Sequence, residues 1–407
     1  METQIRGARE RLQQMLSRAW LEIDLDQLIA NTRAVAAHVG GAERILATVK
    51  ADAYGHGVVF SARALVAAGV GWLGVATVEE GIEIRQAGME TPILVLSPIV
   101  GDDVAVAAEY GLSATVSSLT ALREMAASLG TEQLDVHVGI DTGMGREGAL
   151  PAEAPALLRQ ALNLSSVCVR GVFTHLPAAD QGVREFTLGQ IEEFLGILEA
   201  MGLNDGSLLR HAANSAGILD FPESHLDLVR PGLLLYGLFP SAAVRQTIQV
   251  RPVLAFKSRV THLKVLPAGH TVSYGRRFRA QRPTRVATVA VGYGDGFARS
   301  LSCGKGWVLI GGRRMQVIGA VTMDQVLVEV PAGAEVELGD VAVLIGCQGP
   351  AEITATEMAA WRQTIPWEVL TGIGPRVPRI YFRGGRATAA RTLLGRFEIG
   401  DGNGFAE

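Results

Sequence analysis

With 407 residues, the chain is longer than one hydrophobic core comfortably fills, so two domains are the default. Hydrophobic residues at 48% and charged residues at 19% exclude a disordered chain, and a net charge of −4 without a long basic run argues against nucleic acid as a main partner. Cys168, Cys303 and Cys347 are too few and too scattered for a disulfide framework or a Cys-x-x-Cys metal site, and no apolar run reaches membrane-span length. A cytoplasmic setting with no membrane and no metal fits these features.

Residues 1–18 are polar, helical in spacing and without an apolar signal core, which marks a short extension. From 19 to 244 strand-like and helix-like segments alternate. The strands are expected at Ile45–Val49, Leu73–Ala76, Ile93–Leu96, Ala114–Val116, Leu134–Val138, Cys168–Phe173, Leu208–Arg210 and Asp227–Val229. Helical patterns cover Leu25–His38, Phe60–Ala68, Val78–Ala87, Asp103–Tyr110, Leu119–Ser128, Glu153–Ala161, Glu185–Ala200 and Ala212–Leu219. Eight of each is the count of a closed (β/α)8 TIM-like barrel, with a doubly wound open sheet as the alternative.

A barrel places its chemistry just after the C-terminal ends of its strands. Lys50 ends the first strand and Asp141-Thr142-Gly143-Met144-Gly145-Arg146 follows the fifth. Thr174-His175 follows the sixth, His211-Ala212-Ala213-Asn214-Ser215 the seventh and Arg230-Pro231-Gly232 the eighth. Singly, each has a structural explanation: a rim lysine, a turn-forming Asp141, a core His175, a capping Ser215, a salt-bridged Arg230. Together at one rim they suggest a site. A desolvated lysine loses its charge easily and attacks carbonyls to form a Schiff base. The turn Tyr54-Gly55-His56-Gly57 offers a hydroxyl and backbone amides for a phosphate. Lysine plus phosphate cradle is what pyridoxal phosphate requires.

From 245 to 407 the pattern becomes long apolar/polar alternation, as in Lys257–Val265, Arg285–Val291, Val308–Ile310, Met315–Ile318, Val326–Val330 and Val341–Ile345. This reads as an all-β domain with one helical insert near Thr354–Trp361, fraying at Gly400–Glu407. Two tyrosines sit in glycine turns, Ser273-Tyr274-Gly275 and Gly292-Tyr293-Gly294-Asp295-Gly296. In isolation either tyrosine can simply pack over its loop.

Taken in order, these motifs, with Met323-Asp324-Gln325 and Arg376-Val377-Pro378-Arg379, resemble those of the bacterial alanine racemases, from about Trp20 to Phe382. These are pyridoxal 5'-phosphate enzymes with a barrel followed by a β domain, supplying D-alanine for peptidoglycan. The resemblance implies that Lys50 holds the cofactor and serves as one acid/base. Tyr274 would be the opposite one, reaching the site from the partner subunit of a homodimer. Tyr54, Ser215, Gly232 and Leu233 would hold the cofactor's phosphate, the last two through backbone N–H groups, with Asn214 also among the cofactor-binding residues, His175 along the ring and Arg230 facing the ring nitrogen, backed by His211. Arg146, Met323 and Tyr293 would shape the site of a small amino-acid substrate. A pyridoxal-phosphate-binding barrel without a second domain is disfavoured by Tyr274. A basic-amino-acid decarboxylase is disfavoured by the lack of its C-terminal cysteine motif.

Racemisation itself asks for this pair. A proton leaves one face of the α-carbon and returns to the other, and two fixed bases on opposite faces avoid moving one across the ring. An ordinary tyrosine, with a pKa near 10, needs roughly 4 kcal/mol of phenolate stabilisation to act near neutrality. Two positions depart from the family. Gly139 stands where many relatives carry a lysine that becomes carbamylated and orients the arginine matching Arg146, so a bound small anion is expected in its place. Pro375 replaces a tyrosine that touches the phosphate and narrows the pocket, which raises serine as a secondary substrate beside alanine.

Overall fold

A computed structural model describes residues 18–399. The helix expected over 1–18 lies outside these except for Arg18, as does the fraying expected at 400–407. The described residues divide into two compact units, one built from residues 27–53 and 58–251, the other from 18–26, 54–57 and 252–399.

The first unit is the barrel. Its parallel sheet runs in sequence order through Leu46–Thr48, Trp72–Val75, Ile93–Pro98, Ser113–Val116, Leu134–Gly139, Val167–Phe173 and Leu209–His211. Residues 227–231 close it: Leu228 bridges His211, Val229 bridges Ile45, and the Thr48 amide donates to Pro231 O at 3.0 Å. This is the eighth staff expected from the sequence, made of single bridges rather than a full ladder. Runs such as Leu46-Ala47-Thr48 are wholly buried, as parallel strands covered on both faces must be. Some of the helices between them bury one stripe, as Leu119–Leu129 turns Leu122, Met125 and Leu129 inward, while Val58–Ala67 is buried on nearly every side. Side chains fix their starts: Thr77 accepts from Glu80 N, Ser118 from Ala121 N, Asn214 from Ala216 N and Gly217 N.

The second unit is strand-rich, with an eleven-stranded sheet around the long strand Leu254–Leu266. Ala19–Asp24, assigned above to the barrel, is one of its strands. It pairs antiparallel with Leu254–Leu266 and parallel with Arg379–Arg383, because Leu21 and Ile23 are buried on one face while Trp20 packs with Ile380 and Ala390 on the other. Residues 245–251 move the opposite way and stay with the barrel, where Arg245 Nε donates to Asp220 at 2.7 Å and Arg251 N to Asn31 at 3.0 Å. The expected helical insert is present as Ala355–Arg362, followed by Pro366–Thr371. Residues 54–57 belong here too. A Cβ on Gly55 would lie 2.4 Å from Leu370 O, and one on Gly57 would lie 1.8 Å from the Tyr381 hydroxyl. These glycines therefore admit close packing, and the Gly55 carbonyl accepts from Arg379 Nε at 3.2 Å.

Candidate active site

In the barrel unit Lys50 opens a left-handed turn: Ala51, Asp52 and Ala53 have φ of 53°, 57° and 53°. Such a run costs about 1–2 kcal/mol per residue, so its surroundings must enforce it. They do. Glu80 accepts from Ala51 N at 2.6 Å and from Ala76 N at 2.7 Å, and Asp52 accepts from Val58 N at 2.9 Å. Burial and then the charge of Arg146 lower the Lys50 pKa from its ordinary value, with Glu147 and Glu80 opposing and Arg230 adding to the fall. A lysine so placed yields its proton readily.

Arg230 is buried at 6% exposure and, among the described residues, has no carboxylate partner. It donates instead to neutral acceptors: Nη1 to His211 Nδ1 at 2.7 Å and His211 O at 2.9 Å, Nη2 to Thr174 O at 2.7 Å, Ala212 O at 3.1 Å and His175 Nδ1 at 3.3 Å. Burial and Arg146 push it down to about 9, still a cation at neutral pH. Burial and the Arg230 charge push His175 down to about 3 and hold His211 well below its ordinary value, so both rings are neutral. A buried cation with only neutral partners is costly unless an electron-rich group faces it.

Nearby, the Gly232 amide donates to Ser215 Oγ at 3.0 Å, which leaves the Ser215 proton free to donate onward. Gly232 therefore spends its own amide on Ser215, while the buried Leu233 amide beside it has no acceptor among the described residues. Asn214 acts as the helix cap and ties Leu176 O through Nδ2 at 2.8 Å, so it positions Ser215. Tyr54, in the other unit, is buried and pushed up to about 12 by that burial, so its hydroxyl stays a donor.

Asp141 ties the next loop, accepting from the amides of Gly143, Met144 and Gly145 at 2.8–3.0 Å. The small anion expected near Arg146 finds no support. Arg146 Nη2 bonds Glu147 Oε1 at 2.9 Å, and a Cβ on Gly139 would already lie 3.2 Å from the Phe173 ring. An aromatic ring fills the space left by the missing side chain, and a carboxylate one residue along supplies the charge.

In the β unit, Ser273 and Gly275 with φ of 61° and 72° turn the chain sharply and leave Tyr274 73% exposed. Tyr274, Tyr293 and Met323 line one open pocket of about 870 Å3. Behind it Asp295, fully buried, receives both terminal nitrogens of Arg18 at 2.6 and 2.8 Å and Arg376 Nε at 2.8 Å. Arg376 in turn donates to Met323 O at 3.1 Å and Asp324 Oδ1 at 2.8 Å, and the amides of Tyr293 and Gly294 pair with Thr322 O and Met323 O. One carboxylate thus holds both pocket loops.

Family models described as alanine racemase N-terminal domain and alanine racemase C-terminal domain match residues 23–240 and 253–381. The chain belongs to the alanine racemase family. An alanine racemase of Symbiobacterium thermophilum is 44% identical over 89% of this chain and 96% of its own length. The crystal structure of the Bacillus anthracis alanine racemase with bound L-Ala-P superposes with a TM-score of 0.88 at 34% identity, covering 93% of this chain and 98% of that one. A histidine racemase of Leuconostoc mesenteroides, 24% identical, shares the fold at a TM-score of 0.80, covering 90% and 98%. The enzyme is an isomerase.

Of the family positions singled out in the sequence, the barrel unit holds Lys50, Arg146, His175, Asn214, Ser215, Arg230, Gly232 and Leu233, and the β unit holds Tyr54, Tyr274, Tyr293 and Met323. Sequence reasoning missed Glu80, Glu147, Asp295 and His137. His137 carried a signal, being a lone polar residue in the otherwise apolar core positions of Leu134–Gly139.

Proposed function

We propose that this alanine racemase family member interconverts L- and D-alanine with pyridoxal phosphate as cofactor and two bases, as a homodimer sharing its sites between subunits, and so supplies D-alanine for peptidoglycan. The observation that carries this is Arg230, a buried cation bonded only to neutral acceptors beside a lysine of lowered pKa. The donor set fits pyridoxal phosphate. Lys50 would hold its aldehyde carbon, the Ser215 hydroxyl and the Leu233 amide its phosphate, Arg230 its ring nitrogen and His175 its ring; Tyr54 takes its phosphate role from the family resemblance alone. When bound, that group supplies an electron-withdrawing ring that acidifies the substrate's α C–H.

The chain's own residues do the rest. Lys50 takes or returns the proton on one face, and its lowered pKa eases the exchange. Tyr274 of the partner subunit serves the other face; an exposed tyrosine beside an open pocket suits a surface that a second copy covers. Arg146 orients the substrate carboxylate. Because a guanidinium only donates, Arg230 would keep the ring nitrogen of a bound cofactor unprotonated, a state that would favour return of the proton over transfer of the amino group. Met323 and Tyr293 set the width of the pocket, and Pro375 in place of a tyrosine opens it toward serine. Purified enzyme should be yellow, racemise L-alanine, and yield the cofactor fixed on Lys50 after borohydride. A colourless protein that neither gains absorbance with added pyridoxal phosphate nor racemises alanine overturns the proposal. Comparing kcat/KM for alanine and serine tests the pocket width.

A further inference from the structure

Arg230 is the end of a longer array. Its Nη1 meets His211 Nδ1 at 2.7 Å, and His211 Nε2 meets His137 Nδ1 at 2.8 Å, all fully or nearly fully buried. A guanidinium has donors and no acceptor, so the His211 nitrogen facing it carries a lone pair. A neutral imidazole then has its proton on Nε2, aimed at His137, and His137 Nδ1 must accept it. On the other branch Arg230 Nη2 meets His175 Nδ1, which places the His175 proton on Nε2, the nitrogen turned away from the arginine. The direction of the array is forced from one end.

The far end is built for this. His137 Nε2 is buried without a partner among the described residues, and the Trp72 ring packs edge-on at 5.1 Å. Gly171 makes room for the imidazole, since a Cβ there would lie 2.5 Å from Nδ1. Phe173 stacks on His211 at 5.0 Å and 13°, fixing the plane of that ring. An unpartnered buried N–H is a standing cost, and an apolar side chain of similar shape would avoid it.

We propose that His137 is a positioning residue: its Nδ1 accepts the Nε2–H that Arg230 imposes on His211, which holds the His211 ring in place, keeps Arg230 aimed and leaves the His175 Nε2–H free to donate. With no acceptor for it, the His211 Nε2–H becomes a second buried donor without a partner, and the ring gains by turning off the Arg230 axis to find one. Burial, reinforced by Arg230, pushes His137 down to about 3, so the array stays neutral while the enzyme works. Charged groups facing it are Arg230 and Arg170 for His137, Arg230 for His211, and Arg230, Arg146 and Lys50 for His175. The idea rests on reading Arg230 and His175 as site residues.

The experiment is 15N NMR of the whole enzyme carrying 15N-histidine, which distinguishes the two neutral tautomers and the imidazolium directly. His137, His175 and His211 should each show a protonated Nε2 and a bare Nδ1 from pH 6 to 8. In His137→Phe the His211 Nε2–H signal should lose its hydrogen-bond shift and exchange faster with solvent, and kcat should fall on the order of tenfold, one buried hydrogen bond's worth, with KM little changed. His137→Asn, whose side-chain carbonyl can accept, should restore both. A proton on His211 Nδ1, or an imidazolium, in the unmutated enzyme overturns the proposal without any variant. So does a His137→Phe enzyme whose His211 signals and kcat are unchanged. The tautomers are read whether or not pyridoxal phosphate binds, so loss of the cofactor reading would show separately, as a colourless protein with the array intact.

Discussion

The barrel unit buries Arg230 and His211 and bonds them to one another: Arg230 is 6% exposed and His211 0%. The β unit leaves Tyr274 73% and Met323 51% exposed around an open pocket, and buries instead the carboxylate that braces them, Asp295. One half holds prearranged positive charge in low dielectric, where it is worth most; the other displays Tyr274, the proposed second base, on a sharp turn. On the proposed mechanism neither half is a complete catalyst: Lys50 without a second base would exchange a proton on one face only, and Tyr274 in water would have nothing to act on.

Lys50→Ala should break the barrel half outright, abolishing racemisation in both directions; measurable turnover from either enantiomer would show that another group does its work. Tyr274→Phe should cost on the order of 10²–10⁴ in rate, the usual worth of a positioned acid/base. Solvent-deuterium exchange should fall unevenly for the two enantiomers, whereas small, equal losses would reduce Tyr274 to packing.

Acid should separate the halves next. Unfolded histidines take up protons near pH 6.5, while His137 and His175 stay neutral in the fold down to about 3, so between those values the unfolded chain binds more protons. Stability from these burials is complete above pH ~6.5 and is lost as pH falls toward 3, at up to ~1.4 kcal/mol per pH unit for each ring. Denaturant midpoints at pH 7 and 5 should show this drop, and His137→Asn should lessen it; an identical slope in the variant would contradict the assignment.

The smallest effect is expected at the loop carrying Arg146. Glu147→Gln removes a half-exposed ion pair worth about 1 kcal/mol or less, so kcat/KM should fall tenfold at most and chloride should recover part of it. Glu147 raises the Lys50 pKa, so its loss should let Lys50 fall further and react faster with trinitrobenzenesulfonate at neutral pH in cofactor-free enzyme. An unchanged labelling rate would remove Glu147 from the account.

Much of this contrast was legible in the chain. Lys50, Arg146, His175 and Arg230 are conspicuous because each follows an apolar run by one or a few residues, where a barrel puts its rim. The strand Ala19–Asp24 was not, because its partners lie more than 230 residues away and nothing local says which sheet will take Trp20. Glu147 escaped because adjacent side chains generally point apart, and only the loop pinned by Asp141 turns it onto Arg146. His137 escaped because its partner is 74 residues away, across two strands, and a lone buried imidazole looks like core until its neighbour is known. The left-handed turn after Lys50 had no signal at all, since Ala51 and Ala53 favour right-handed helix.

Each site is proposed to draw its two halves from two copies of the chain. Lys50→Ala and Tyr274→Phe enzymes should be prepared separately, mixed, and carried through subunit exchange verified by mass, then assayed for alanine racemisation. A mixed dimer has one doubly damaged site and one intact site, so activity should rise well above either parent as mixed dimers accumulate. Verified exchange with no gain over the parents would contradict the shared site.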